Sequence, residues 1–206
     1  MGNAEGNAVG EGVAGGQSRA GSARPTALRR SVVLVGMMGA GKTAVGTALA
    51  RHLSVPFLDA DEELVRAAQM SIAEIFARDG EPFFRARETE VLGRLLSGPP
   101  AVLSTGGGAF LSEVNRQLIA EKGVSVWLKA DLDLLWQRVR HKTTRPLLRT
   151  ANPRATLAEL YATRVPLYAL ADIAVEAEPD LSVEAMAEKV KGALGRHGDL
   201  SEEGGA

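Results

Sequence analysis

Residues 36–43 read Gly-Met-Met-Gly-Ala-Gly-Lys-Thr, and the reading of this stretch decides the fold. They match G-x-x-x-x-G-K-[ST], a phosphate-binding loop pattern that carries its own mechanism. Glycines such as Gly39 and Gly41 let backbone N–H groups turn inward on a phosphate chain, Lys42 reaches the outer phosphates, and the Thr43 hydroxyl can ligate Mg²⁺. Ala40 and Ala44 fall within and just after the loop and are counted with its expected ATP-binding positions. Upstream, residues 31–35 form a short aliphatic run of the kind found in a buried parallel strand. Downstream, Val45, Leu49 and Leu53 fall four apart, which is one face of a helix. Strand, loop and helix thus come in the order the pattern requires, and the helix N-terminus adds its own attraction for phosphate. A glycine-rich strand-to-helix turn that binds nothing is the competing reading, and it leaves the full match in this context without a cause.

The chain has 206 residues, 45% of them apolar, enough to bury one good core. Its formal net charge of −1 argues against nucleic acid as the main partner. Cysteine is absent, which removes disulfides, thiolate catalysis and cysteine-ligated zinc together. No apolar run approaches the roughly 18 to 20 residues of a membrane span. The N-terminus also lacks the apolar core of a secretory signal, so the expected location is the cytoplasm, with no membrane partner.

Three segments are expected: a disordered N-terminal tail over 1–27, one domain over 28–195, and a flexible tail over 196–206. The first of these carries only Val9 and Val13 as larger apolar side chains besides Met1, too little to offset the entropy of ordering. Within the domain, strands are expected at 31–35, 55–59, 101–104, 124–128 and 173–175. Helices fall between them, with Ser71 and Glu74 as a capping box, Gly80 and Pro82 ending one helix and opening the next, and Asp131 as a cap. Strand and helix patterns alternate throughout. That argues for an α/β fold, a parallel sheet covered on both faces as a three-layer sandwich, with ligands at the strand C-terminal ends.

A metal-bound nucleotide usually needs a strand-end carboxylate beside the loop hydroxyl. The strand at 101–104 ends without an acid, so Asp59 is the candidate, holding Mg²⁺ through water and handling the proton of an attacking hydroxyl. Asp61 follows two residues on, and continued extended geometry would aim both carboxylates at the phosphate site. In the plainer reading, Asp59 ends a strand and Asp61 caps the next helix. Arg85 and Glu88 stand at helical spacing three: either an exposed ion pair or a carboxylate that fixes Arg85 to grip a substrate acid. Gly106, Gly107 and Gly108 cost backbone entropy and need a reason, such as positive φ or close approach to the main chain. Between Leu134 and Ala158 there is no acid, while Arg138, Arg140, Lys142, Arg145, Arg149 and Arg154 fall there. One reading is a solvated or RNA-touching face. The other is a lid over about 140–154 that closes on ATP, with Arg145 as the finger supplying charge to the transferring group. Pro166 inside an apparent helix would kink it and turn Arg164 inward.

Six of these stretches, taken in order, resemble the shikimate kinase family over roughly 31–190. They are the phosphate loop, Asp59-Ala-Asp61, the run from Phe84 to Glu88, the three glycines, Arg145-Pro-Leu-Leu148 and Arg164-Val-Pro-Leu-Tyr168. The resemblance implies a monomer with a five-stranded parallel sheet of the P-loop NTPase type and transfer of the ATP γ-phosphate to the 3-hydroxyl of shikimate in aromatic amino acid synthesis. It implies that Asp61, Arg85, Gly106 to Gly108 and Arg164 bind shikimate and that Asp59 serves Mg²⁺ and the proton. Lys42 and Arg145 then stabilise the phosphates, and Arg138 lies against adenine. Ala44 departs from the pattern, standing where many relatives have a second hydroxyl. Two alternatives stand beside this reading: a kinase for another small hydroxy acid such as gluconate, and a catalytically silent ATP-binding module.

Overall fold

In the computed structural model the described residues are 26–141 and 146–202. The N-terminal tail up to residue 25, residues 142–145 of the expected lid, with Arg145 among them, and 203–206 lie outside this set. A short strand, β1 (Thr26–Leu28), precedes the first sheet strand, β2 (Ser31–Val35), whose five residues are all buried. The phosphate loop leads from β2 into α1 (Lys42–Leu53). Gly46 lies in the middle of α1 because a Cβ there would meet the Phe57 ring at 2.6 Å. Next come β3 (Phe57–Asp59), α2 (Ala60–Ala68) and the long α3 (Ile72–Leu96). The Ser71–Glu74 capping box opens α3, and Gly80, at φ 79° and ψ 175°, breaks its helical geometry just before Pro82. The stop and restart expected at these residues are there: α3 is two helical stretches that meet at the non-helical Gly80.

The chain continues through β4 (Val102–Ser104), a 3₁₀ turn (Ala109–Leu111), α4 (Glu113–Lys122), β5 (Gly123–Lys129) and α5 (Leu132–Val139). Asp131 caps α5 by accepting from the Leu134 N–H at 2.7 Å, as its position suggested. A second 3₁₀ turn (Pro146–Leu148) and the start of α6 (Pro153–Tyr168) fall within the stretch expected as a lid up to 154. Buried Leu148 ties that turn to the core, and the Asn152 side chain caps α6. No break is needed at Pro166, since α6 runs through it and ends at Tyr168. β6 (Ile173–Glu176), α7 (Val183–His197) and β7 (Leu200–Glu202) follow.

Five strands pair in parallel in the order β3-β4-β2-β5-β6, flanked by helices, the architecture expected from the alternation. The central strand is β2, so the loop after it is seated on the most buried part of the sheet. Loops after β3 and β4 leave the same end on one side of it. β6, at the other edge, alternates buried and exposed residues.

Residues 196–202 are a correction to the expected C-terminal tail. They complete α7 and form β7, which pairs antiparallel with β1. Buried Asp199 accounts for this: its carboxylate accepts from Arg30 Nε at 2.8 Å and lies 2.6 Å from His197 Nδ1. Its backbone carbonyl takes the Arg29 N–H at 3.0 Å. Charge and backbone bonds together hold two segments too polar to be read as strands.

Candidate active site

The phosphate loop takes the shape its glycines allow. Gly39 and Gly41 have φ of 86° and 93°, a left-handed region that favours glycine. Lys42 Nζ donates to the Gly36 and Met37 carbonyls at 2.8 and 3.2 Å, so the ammonium is folded over the loop. Arg138 of α5 donates to the Gly39 carbonyl at 3.5 Å, which sets it on the outer side of the same loop. A cavity of about 500 Å³ opens here, lined by the loop, Asp59, Asp61, Gly106, Gly107 and Arg138. Its far wall comes from Ala177, Leu181, Val183 and Met186, around the connection between β6 and α7. Sequence reasoning did not mark that wall. The only available signal was that the connection follows a strand of the parallel sheet, where ligands gather.

Asp59 ends β3 and caps α2, its Oδ1 accepting from the Asp61 and Glu62 N–H groups at 3.0 and 3.4 Å. Thr43 Oγ1 reaches its other oxygen, Oδ2, at 3.4 Å. The helix begins at Ala60, so Asp61 is not carried inward by continued extended geometry. It is not the cap either; it sits in the first turn of α2 and faces the cavity from there. Burial raises the Asp61 pKa, the nearby Asp59 carboxylate adds to the rise, and Lys42 and Arg85 pull against it.

The loop after β4 gathers the remaining groups. A Cβ on Gly106 would lie 2.9 Å from Asp61 Oδ1, one on Gly107 3.4 Å from Arg164 Nη1, and one on Gly108 2.6 Å from Arg85 Nη1. None of the three glycines has positive φ. Close approach is therefore the reason for Gly106 and Gly108, while a Cβ on Gly107 would make only ordinary contact; each glycine still faces a different one of the three side chains singled out as acceptor-binding. Arg85 is half-exposed and held in place: Nη1 donates to Glu88 Oε2 at 2.8 Å, Nη2 and Nε to Glu81 Oε1 at 3.1 and 3.3 Å. Of the two readings of the Arg85–Glu88 pair, the buried, fixing one describes Glu88, which is 3% exposed. Burial raises the Glu88 pKa, Arg85 opposing and Asp61 and Glu81 adding. Glu81, unmarked in the sequence reading, stands four residues before Arg85, a spacing that could have found it. Within the basic run, Arg154 pairs with Asp133 at 2.9 Å, which places it on a solvated surface.

One end of the sheet thus carries a nucleotide-type phosphate loop and, beside it, two arginines and an aspartate around a glycine loop. The shikimate kinase family model matches residues 38–194. The chain belongs to the shikimate kinase family. A shikimate kinase of Cereibacter sphaeroides is 66% identical over 175 residues, covering 85% of this chain and 87% of that protein. One from Ruegeria pomeroyi is 64% identical, covering 85% and 90%. Among solved structures, shikimate kinase from Acinetobacter baumannii in complex with shikimate is 38% identical, with a TM-score of 0.76, covering 82% of this chain and 94% of that one. Family membership makes this chain a phosphotransferase that acts on an alcohol group, with ATP as co-substrate.

Proposed function

We propose that the chain transfers the γ-phosphoryl group of ATP to the 3-hydroxyl of shikimate, with both substrates held in the cavity between the phosphate loop and the three-glycine loop. The observation that carries this reading is the one-to-one facing of Gly106, Gly107 and Gly108 with Asp61, Arg164 and Arg85, of which Gly106, Gly107 and Asp61 line the cavity of the phosphate loop. Shikimate is a small ring with one carboxylate and three hydroxyls. Two planar guanidinium forks suit the acid, while an aspartate and backbone amides suit the hydroxyls. Glu88 and Glu81 hold Arg85 at a fixed angle, which lowers the entropy lost on gripping the carboxylate.

On the donor side the N–H groups of residues 39–44 take the phosphates, Lys42 takes the outer oxygens, and Arg138 lies along the base. Arg145, from the lid expected over 140–154, brings positive charge to the transferring group, while Leu148 and α6 anchor the C-terminal part of that stretch. Asp59 accepts or orients the proton of the attacking hydroxyl, while its cap bonds keep the carboxylate from turning away. Thr43 and Asp59 also fit Mg²⁺, since a hydroxyl and a carboxylate oxygen 3.4 Å apart at an exposed mouth form a hard donor set that water can complete. When bound, the ion would neutralise charge on the phosphate oxygens. We read the protein as a cytoplasmic monomer; no helix among the described residues is long and apolar enough to cross a membrane.

The test is direct. Purified protein with ATP and Mg²⁺ should form ADP when shikimate is added and yield a ring phosphorylated at the 3-hydroxyl. Turnover of gluconate in place of shikimate would transfer the reading to another hydroxy acid, and no turnover with any acceptor would leave an ATP-binding module.

A further inference from the structure

Tyr168 has no part in the chemistry described so far. It ends α6 one helical turn beyond Arg164, and its side chain is wholly buried. Its hydroxyl donates to the Gly107 carbonyl at 2.5 Å. Trp127 of β5 backs the ring, with centroids 6.3 Å apart and planes tilted by 31°. A Cβ on Gly107 would lie 3.4 Å from Arg164 Nη1 and 3.6 Å from Tyr168 Oη, so guanidinium, hydroxyl and glycine converge on one point. A tyrosine hydroxyl has a single proton. Given to Gly107, it leaves only lone pairs for Arg164, whose nitrogens can only donate, so the two contacts are compatible. Burial raises the Tyr168 pKa, with Arg164 pulling the other way, and the hydroxyl stays a donor. The far side of the loop is fastened to α4. Asn115 Nδ2 donates to the Ala109 carbonyl at 2.9 Å, and Arg116 Nη1 to those of Phe110 and Leu111 at 2.9 and 2.8 Å.

We infer that Tyr168 is a positioning residue of the acceptor site: its hydroxyl pins the Gly107 carbonyl against α6 and sets Arg164 over the glycine loop, so that arginine and loop present one surface to the acceptor. The inference rests on the shikimate reading above. Core packing alone would ask for the aromatic ring and not for the hydroxyl, because the ring is backed by Trp127 while the hydroxyl meets the one loop that the acceptor needs.

Tyr168→Phe separates the two roles, since phenylalanine keeps every ring contact. Initial rates with shikimate and ATP varied separately are measured for the wild type, Tyr168→Phe, Arg164→Lys and the double variant, alongside thermal melting. The expected result is a shikimate KM raised about tenfold, the size of one hydrogen bond's contribution to orientation. The ATP KM stays within about twofold, and the melting temperature within about 4 °C. In the Arg164→Lys background the same change should cost clearly less, because the group it positions is already gone. A wild-type shikimate KM in Tyr168→Phe, an equal rise in both KM values, or full additivity in the double variant would overturn the inference. If the wild type itself fails on shikimate, the functional reading falls instead, and that outcome is distinct because it appears before any variant is compared.

Discussion

Gly108→Ala isolates the acceptor site more cleanly than removal of any charged group. Gly108 has φ −92°, a conformation alanine adopts freely, so the backbone pays nothing. The added Cβ would stand 2.6 Å from Arg85 Nη1, 2.7 Å from Nη2 and 2.9 Å from Cζ. To reach ordinary contact at about 3.4 Å, the guanidinium must retreat by roughly 0.8 Å. A retreat of that size strains the 2.8 Å bond to Glu88, while the half-exposed fork can swing toward Glu81. Arg85 is the far end of a flexible side chain, so the fold should lose little. The acceptor should lose a charge-assisted grip of about 1.5 to 3 kcal/mol, which is a rise of about ten- to a hundredfold in shikimate KM. The ATP KM should hold, since the phosphate loop is not touched. Initial-rate kinetics with each substrate varied in turn, together with a melting curve, checks all three statements. The series adds a ranking: Gly106→Ala, at 2.9 Å from Asp61, should be intermediate, and Gly107→Ala, at 3.4 Å from Arg164, mildest. A wild-type shikimate KM in Gly108→Ala, or a variant crippled equally toward ATP, would refute the argument.

Asp59→Asn keeps a good helix cap and loses the carboxylate; kcat should drop at least about tenfold, roughly 1.4 kcal/mol of barrier, with little change in melting. Arg164→Ala should raise the shikimate KM at least about tenfold with ATP affinity nearly kept, read by kinetics and nucleotide titration. Because burial and Asp59 raise the Asp61 pKa, the folded chain holds a proton that the unfolded chain has lost between the ordinary carboxylate value and the raised one. Stability from this group therefore falls as pH rises through that window, and Asp61→Asn should melt higher than wild type at pH 7, with the difference shrinking toward pH 4, while its shikimate KM rises. Asp199→Ala should cost about 1 to 3 kcal/mol in chemical denaturation by releasing Arg30 and His197 from the β1–β7 pair, leaving both KM values unchanged.

The phosphate loop was legible because strand, loop and helix are contiguous, and every residue that shapes it lies within a few positions of the next. Asp131, Ser71 and Glu74 were legible for the same reason, since a cap is a local hydrogen bond. The three glycines were recognised as needing a cause, yet the cause could not be assigned from sequence. Asp61, Arg85 and Arg164 come from α2, α3 and α6, and only the order of strands brings those helices to one loop. Asp61 shows a subtler failure: it lines the cavity beside the phosphate loop, but through a helical turn and not an extended one, because Asp59 captures the amides of Asp61 and Glu62 and starts the helix early. β1 and β7 were invisible because three-residue strands of mixed polarity carry no periodicity, and what pairs them is a buried aspartate held by Arg30 from one end of the chain and His197 from the other.

The phosphate loop and the three-glycine loop come together at a single carbonyl. Lys42 Nζ donates to Gly36 O at 2.8 Å, and a Cβ on Gly107 would lie 3.7 Å from that same oxygen. Trp127 closes the arrangement from below, with Cδ1 3.3 Å from where a Gly36 Cβ would stand and its ring against Tyr168. This follows from topology. β2 and β4 are parallel neighbours in register from Val32 and Val102 to Leu34 and Ser104, so their loops leave the sheet side by side, about 4.8 Å apart. On the proposed reading, the separation of the two reacting groups is set first by strand spacing, and the aim of each group is left to residues such as Glu88 and Tyr168. Substitutions at those residues should therefore shift affinity for one substrate at a time, whereas the distance of transfer is a property of the sheet.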